Sequence, residues 1–162
     1  MMIHKNAKIF VETGTSRHEE NCFDDGCSTL ILGSFANILG LQFYSVDIDE
    51  KCCIESREAA SIFGSNVEVM QSDSVAYLAD FDKGLIDFLY LDSFDWKNPA
   101  PSQEHHLKKI KAVYSKIHKN TIIMLDDCAL KDEEKCTLVS KYLDEQGWKV
   151  HANGYQIIYT YD

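Results

Sequence analysis

Short apolar runs and longer segments of helical periodicity alternate along the chain. The runs at 9–11, 42–46, 67–70, 86–91 and 121–125 carry β-branched and aromatic residues, which suit strands. Between them apolar residues recur every three or four positions, as on one face of a helix. Leu30, Ile31, Phe35, Ile38 and Leu39 predict a helix capped by Ser28 and stopped by Gly40. A second helix is expected over 51–63, opened by Asp49 or Glu50 and closed by Gly64. A short one follows Ser72-Asp73-Ser74. After the turn Pro99-Ala100-Pro101, Ser102, Gln103 and Glu104 start a long helix to about 118, and another spans about 133–146. Two last runs, 148–152 and 155–159, flank Asn153-Gly154, the dipeptide of a two-residue hairpin.

Five strand–helix alternations imply a parallel sheet covered on both faces, and the hairpin adds antiparallel strands. The expected fold is therefore α/β: a Rossmann-like, doubly wound, mostly parallel seven-stranded sheet with a C-terminal antiparallel hairpin. A length of 162 residues suits one domain, 1–162, with a full core.

Charge narrows the ligands. The formal net charge is −10, which repels phosphate backbones, so no nucleic-acid partner is expected. No apolar run of about 18 residues occurs, so no membrane span is expected. The N-terminal residues lack the apolar core of a signal peptide, which predicts a cytoplasmic protein with reduced cysteines. The six cysteines form no C-x-x-C pair. His18, Cys22 and Cys27 are the nearest approach to a zinc set, but their spacing is not a usual zinc pattern.

Open α/β sheets bind ligands beyond the carboxyl ends of their strands. Four of the five parallel strands end on an acid, namely Glu12, Asp47, Asp92 and Asp126, and Asp73 closely follows the other. Acids also follow strands simply as caps of the next helix, and Asp47 and Asp73 could each be that. Five on one edge, with Asp127 doubling the last, point to a ligand-binding rim. The loop after the first strand offers Glu12, Glu19, Glu20, Asp24 and Asp25 and has neither G-x-G-x-x-G nor a P-loop lysine. Phosphate is disfavoured there, and a cationic ligand with ribose hydroxyls is favoured.

The stretches V-E-T-G-T, Y-S-V-D-I-D and Q-S-D-S resemble, in order and spacing, three motifs of class I S-adenosylmethionine-dependent methyltransferases. The resemblance covers nearly the whole chain, final hairpin included. It implies that Glu12, Thr13, Gly14 and Thr15 meet the methionine part of the cofactor, with Gly26 and Ser28 placing the loop's return. It implies that Asp47 holds both ribose hydroxyls, with Ile48 beside it, and that Asp73 and Ser74 lie near the adenine amine. Asp92 completes the cofactor set. Gly14 and Gly26 are further apart than the family's glycines usually are. Within that insertion Arg17 has the chemistry to pair with the methionine carboxylate, or else with Glu19 or Glu20.

The stretches L-Y-L-D-S-F-D-W and I-M-L-D-D-C resemble metal-dependent O-methyltransferases of the catechol and sugar type. That resemblance implies a divalent cation such as Mg²⁺ on Asp92, Asp126 and Asp127, where oxygen ligands suit a hard ion. It also implies a small-molecule acceptor bearing a hydroxyl. Asp127 stands where an amide is common, and Asp95 where catechol-type enzymes carry a lysine base. His105 or His106, opening the long helix, is the base expected instead; a solvated first turn is the plainer reading of both. Tyr90, Phe94 and Trp96 are candidates to stack on the acceptor, or are core aromatics. The acceptor site is expected to be open, built by the loop 93–101, or completed by a second subunit of a homodimer. Cofactor binding without catalysis, and metal-dependent hydrolysis at the three aspartates, are the alternatives.

Overall fold

The computed structural model describes residues 6–16, 27–94, 99–128 and 135–161. Arg17, His18, Cys22, Gly26, Asp95 and Trp96 lie outside them.

Seven strands form one sheet: β1 (Ile9–Thr13), β2 (Gln42–Asp47), β3 (Val67–Gln71), β4 (Ile86–Leu91), β5 (Ile117–Leu125), β6 (Lys149–Asn153) and β7 (Ile157–Thr160). Their order is β3-β2-β1-β4-β5-β7-β6. The first five run parallel; β7 pairs antiparallel with β5 and with β6. The strand order reverses between β1 and β4, the place where such sheets open a ligand crevice. This is the architecture expected from the alternation.

Helices cover both faces. α1 (Ser28–Leu39) and α2 (Glu50–Ala60) lie on one side. On the other lie α3 (Ser74–Asp80), α4 (Pro99–Val113) and α5 (Thr137–Glu145). Alternate strand residues feed the two cores, as the pleat requires. Phe10, Phe43, Phe88 and Tyr90 pack toward α1, with Ala36 and Leu41. Val11, Tyr44, Leu89 and Leu91 pack toward the opposite helices, with Leu78, Ile110, Val113, Val139 and Leu143. Burial on both faces is why these strands read as near-continuous apolar runs.

Several boundaries differ from the expectation, for local reasons. Ser28 is the first residue of α1, not its cap, and Cys27 precedes it without a capping side chain. The Ser28 hydroxyl hydrogen-bonds Glu12 instead. α4 begins at Pro99, since proline is well suited to a first helical turn. It ends at Val113, because 114–116 tighten into a 3₁₀ turn and β5 already starts at Ile117. α2 ends at Ala60 and passes into a 3₁₀ segment through Gly64. α5 starts at Thr137, and the expected start near 133 lies outside the described residues.

The β6–β7 connection is three residues long rather than two, since Asn153 pairs with Ile157. Tyr155 is thereby spent on the body of the protein. Its carbonyl accepts the Cys128 amide at 2.8 Å, and its hydroxyl donates to Asp127. The cysteines differ too. Cys128 and Cys136 form a disulfide, with Cα atoms 5.4 Å apart, a separation that suits a bridge. Cys27 is also disulfide-bonded, so it offers no thiolate to zinc. Cys52 and Cys53 are free thiols.

Candidate active site

The site begins where β1 runs out. Gly14 has φ +90°, and a Cβ there would sit 2.6 Å from the Asp92 carbonyl oxygen. Only glycine allows the backbone after β1 to pass this close to the end of β4. The Gly14 amide donates to Val46 O at 2.9 Å, and the Asp92 amide to Thr13 O at 2.9 Å. The ends of β1, β2 and β4 are thus bound together at the switch point.

On the β1–β2–β3 side, hydrogen bonds hold the acids. Asp47 accepts the Thr15 amide at 3.0 Å on one oxygen and the Asp49 amide at 2.9 Å on the other. It is therefore no helix cap; Asp49 caps α2 by accepting the Cys52 amide at 2.9 Å. Asp73 does cap its helix, accepting the Ala76 amide at 2.9 Å. Asp47, Ile48, Asp49, Cys52, Asp73, Ser74, Ser93, Phe94 and His105 surround one cavity of about 510 Å³. Its size suits a nucleoside-sized ligand. Its chemistry does too: an ordered carboxylate for a diol, an acid and a hydroxyl for an amine, and aromatic rings to stack on a base.

Glu12 corrects the picture of five acids along the rim. It lies one residue inside β1, is fully buried, and accepts the Thr29 hydroxyl at 2.7 Å and the Ser45 hydroxyl at 2.5 Å on one oxygen. Its other oxygen, Oε1, has no partner among the described residues. Burial pushes its pKa up to about 7. An ammonium reaching Oε1 would relieve both conditions. Thr13 is buried beside it, and Thr15 bonds to Ser56 at 2.6 Å.

On the β4–β5 side, Asp92, Asp126 and Asp127 each bring a carboxylate oxygen within 4.8 Å of the others. Asp127 holds a left-handed backbone, φ 56°, which turns its side chain back toward the cluster. Burial and the charge of Asp126 push the Asp92 carboxyl up, against the pull of Lys135. Asp126 Oδ1 is buried and has no partner among the described residues. An oxygen-only set with an orphaned oxygen fits a hard divalent ion. Yet a cation is already present. The Lys135 ammonium contacts Asp127 Oδ2 and lies 3.5 Å from Asp92 Oδ1, with its side chain buried.

The two histidines of α4 part company. His105 faces the cavity, its Nε2 at 3.1 Å from the Ser74 hydroxyl and its ring tilted against Phe94 at 5.2 Å. Burial, with Lys109 adding, lowers its pKa to about 4. His106 is fully buried and donates from Nε2 to Ser93 O at 2.8 Å, so it holds the loop after β4 rather than facing a ligand. Tyr90 is a core residue, 3% exposed, not a stacking platform. Phe94 does face the cavity, on a strained φ of 83°.

Two residues escaped the sequence reading. Lys109 is fully buried, and its amine donates to Thr13 Oγ1 at 3.0 Å and Ser93 Oγ at 2.9 Å. Lys-Lys-Ile-Lys looks like a solvated helix face. The signal lay in the stripe Ser102, His106, Lys109, Ile110 and Val113, which keeps helical spacing and is buried throughout. Lys135 carried no such signal in the sequence.

A parallel sheet with this strand order, an antiparallel β7 and a nucleoside-sized cavity at the switch point defines the class I methyltransferase fold. Residues 23–128 match the family model described as a methyltransferase domain, and the chain belongs to that family. Solved structures agree at the level of fold. A TDP-rhamnose 3′-O-methyltransferase of calicheamicin biosynthesis aligns over 96% of this chain and 72% of its own, at 12% identity and a TM-score of 0.66. An O-methyltransferase from Bacillus cereus, in complex with S-adenosylhomocysteine, aligns over 96% and 75%, at 16% identity and TM-score 0.61. A ribosomal protein L11 methylase from Lactobacillus delbrueckii subsp. bulgaricus aligns over 95% and 68%, also at 16% and 0.61. Small-molecule and macromolecular methylases thus share this fold, so fold alone does not name the acceptor. No curated protein matches the chain in sequence. Among the described residues no helix is long and apolar enough to cross a membrane.

Proposed function

We propose that this protein transfers a methyl group from S-adenosylmethionine to a hydroxyl of a small molecule, with a divalent cation at Asp92, Asp126 and Asp127. The observation that carries this reading is the meeting of two unlike sites at Asp92 and Ser93: a nucleoside-sized cavity and a carboxylate cluster. In it Asp47 orients the ribose, Asp73 and Ser74 face the adenine amine, and Phe94 and His105 wall the ring. Glu12 Oε1 and the backbone of Thr13, Gly14 and Thr15 face the methionine end. The cation would polarise an acceptor hydroxyl and lower its pKa.

Methyl transfer is an in-line displacement, so positioning supplies most of the rate. The bound-together ends of β1, β2 and β4 give that positioning a rigid floor. His105 is neutral at physiological pH, since its pKa is lowered to about 4. Hydrogen-bonded to Ser74 on the adenine side, it serves as a neutral wall for the base, and loss of the hydroxyl proton is left to the cation. The net charge of −10 favours a small acceptor over a nucleic acid.

Lys135 favours a second reading: the same transfer without a divalent ion, the ammonium serving as the cluster's countercharge. The test is S-adenosylhomocysteine formation from S-adenosylmethionine across catechols, sugars and hydroxy acids, with Mg²⁺ or with a chelator. Turnover that needs Mg²⁺ supports the first reading, and turnover that survives the chelator supports the second. Cofactor binding without turnover on any acceptor would point to a non-catalytic module.

A further inference from the structure

We propose that Lys135 is the selectivity element of the acidic cluster: its ammonium occupies the position between Asp92 and Asp127, and a divalent ion enters only when Lys135 withdraws. This rests on the cation site of the function proposed above. Three observations support it. Lys135 contacts Asp127 Oδ2 and Asp92 Oδ1, two of the oxygens a divalent ion would need. The other oxygen of Asp127 is engaged by the Tyr155 hydroxyl. Asp126 Oδ1 is buried and without a partner among the described residues. A divalent ion that took one oxygen from each aspartate would need Asp127, whose two oxygens are held by Lys135 and Tyr155, so metal and ammonium compete for the same ligand.

The fold also tethers the competitor. Lys135 directly precedes Cys136, and Cys136 is bridged to Cys128, which directly follows Asp127. Both cysteines are buried, and Cys128 is pinned further by its amide's bond to Tyr155 O at 2.8 Å. The bridge therefore holds the root of the lysine side chain within reach of its acids. A tethered ligand acts at a high effective concentration, and that raises the divalent concentration needed to displace it.

Mn²⁺ binding, read from the loss of the free-ion signal in electron paramagnetic resonance, tests this without any acceptor. Lys135→Met should bind Mn²⁺ about tenfold tighter or more than the wild type, the scale expected when one unit charge leaves a half-buried site. Lys135→Arg keeps the charge and should bind no tighter than wild type. The double variant Cys128→Ser/Cys136→Ser, which loosens the tether, should fall between wild type and Lys135→Met. Equal affinity in wild type and Lys135→Met overturns the proposal, as does tight binding by Lys135→Arg. Should Lys135→Met fail to fold without metal, the double serine variant decides, and wild-type affinity there overturns the proposal. Binding by no variant removes the cation site itself, and with it this role for Lys135; S-adenosylhomocysteine binding would still report separately on the methyltransferase reading.

Discussion

The two halves of the rim solve the same problem, a set of carboxylates at strand ends, in opposite ways. On the β1–β2–β3 side the acids are held by neutral donors. Asp47 takes two loop amides, Asp73 a helix amide, and Glu12 the hydroxyls of Ser28, Thr29 and Ser45. On the β4–β5 side the acids crowd one another, and a lysine drawn in from a neighbouring segment balances them. Hydrogen-bonded carboxylates are preset to receive hydroxyl and amine groups. Crowded carboxylates are preset to receive positive charge. The difference suits one part of the proposed site to positioning a nucleoside and the other to holding a cation.

The largest effect should come from the joint between the halves. Gly14→Ala places a methyl 2.6 Å from Asp92 O at a φ of +90°, and should destabilise the fold by about 3 kcal/mol. A urea unfolding midpoint measures this, and a loss near zero would mean that β1 and β4 do not meet as described. Next, Asp47→Ala should weaken S-adenosylhomocysteine binding by about 2 kcal/mol, the scale of lost charge-assisted hydrogen bonds. Calorimetry that showed unchanged affinity would take the ribose away from Asp47.

Glu12 sharpens the comparison through pH. Its folded pKa, about 7, lies above the ordinary value of 4.5. The folded state therefore binds the proton more tightly than the unfolded chain. Stability falls as pH rises from about 4.5 through about 7, and the penalty is complete above that. Glu12→Gln should remove the slope, gaining about 1–2 kcal/mol at pH 8 and little at pH 4.5. Melting curves at both pH values check it, and parallel slopes for the two proteins would contradict it. The smallest effect is expected at Lys109, whose pKa burial holds well below the usual lysine value. The folded state binds this proton less tightly than the unfolded chain, so stability should rise with pH toward the ordinary lysine range. Lys109→Met should abolish that rise and gain about 1 kcal/mol at pH 7. A lower melting temperature at pH 7 would instead assign the amine a net stabilising role through Thr13 and Ser93.

Much of the first half could be read in the sequence because its logic is local. A strand, its terminal acid and the glycine that follows are neighbours in the chain, and periodicity found all five parallel strands. The second half depends on contacts far apart in sequence. Lys109 meets Thr13 across 96 residues, and Lys135 meets Asp92 across 43. No spacing rule encodes such pairs. The disulfide was missed for a related reason. Cysteine counting argues from compartment, whereas the bridge forms because β5 and α5 bring two side chains together. Glu12 lies within the sheet and not on the rim because β1 runs one residue past it, to Thr13, and one residue in a strand changes the face a side chain takes.

Calorimetric titration of S-adenosylhomocysteine into the wild type, Asp47→Ala and Asp126→Asn tests the division of the site most directly. The account predicts binding by the wild type, a loss of about 2 kcal/mol in Asp47→Ala, and near wild-type affinity in Asp126→Asn. Equal losses in both variants, or no binding by the wild type at high micromolar ligand, would contradict it.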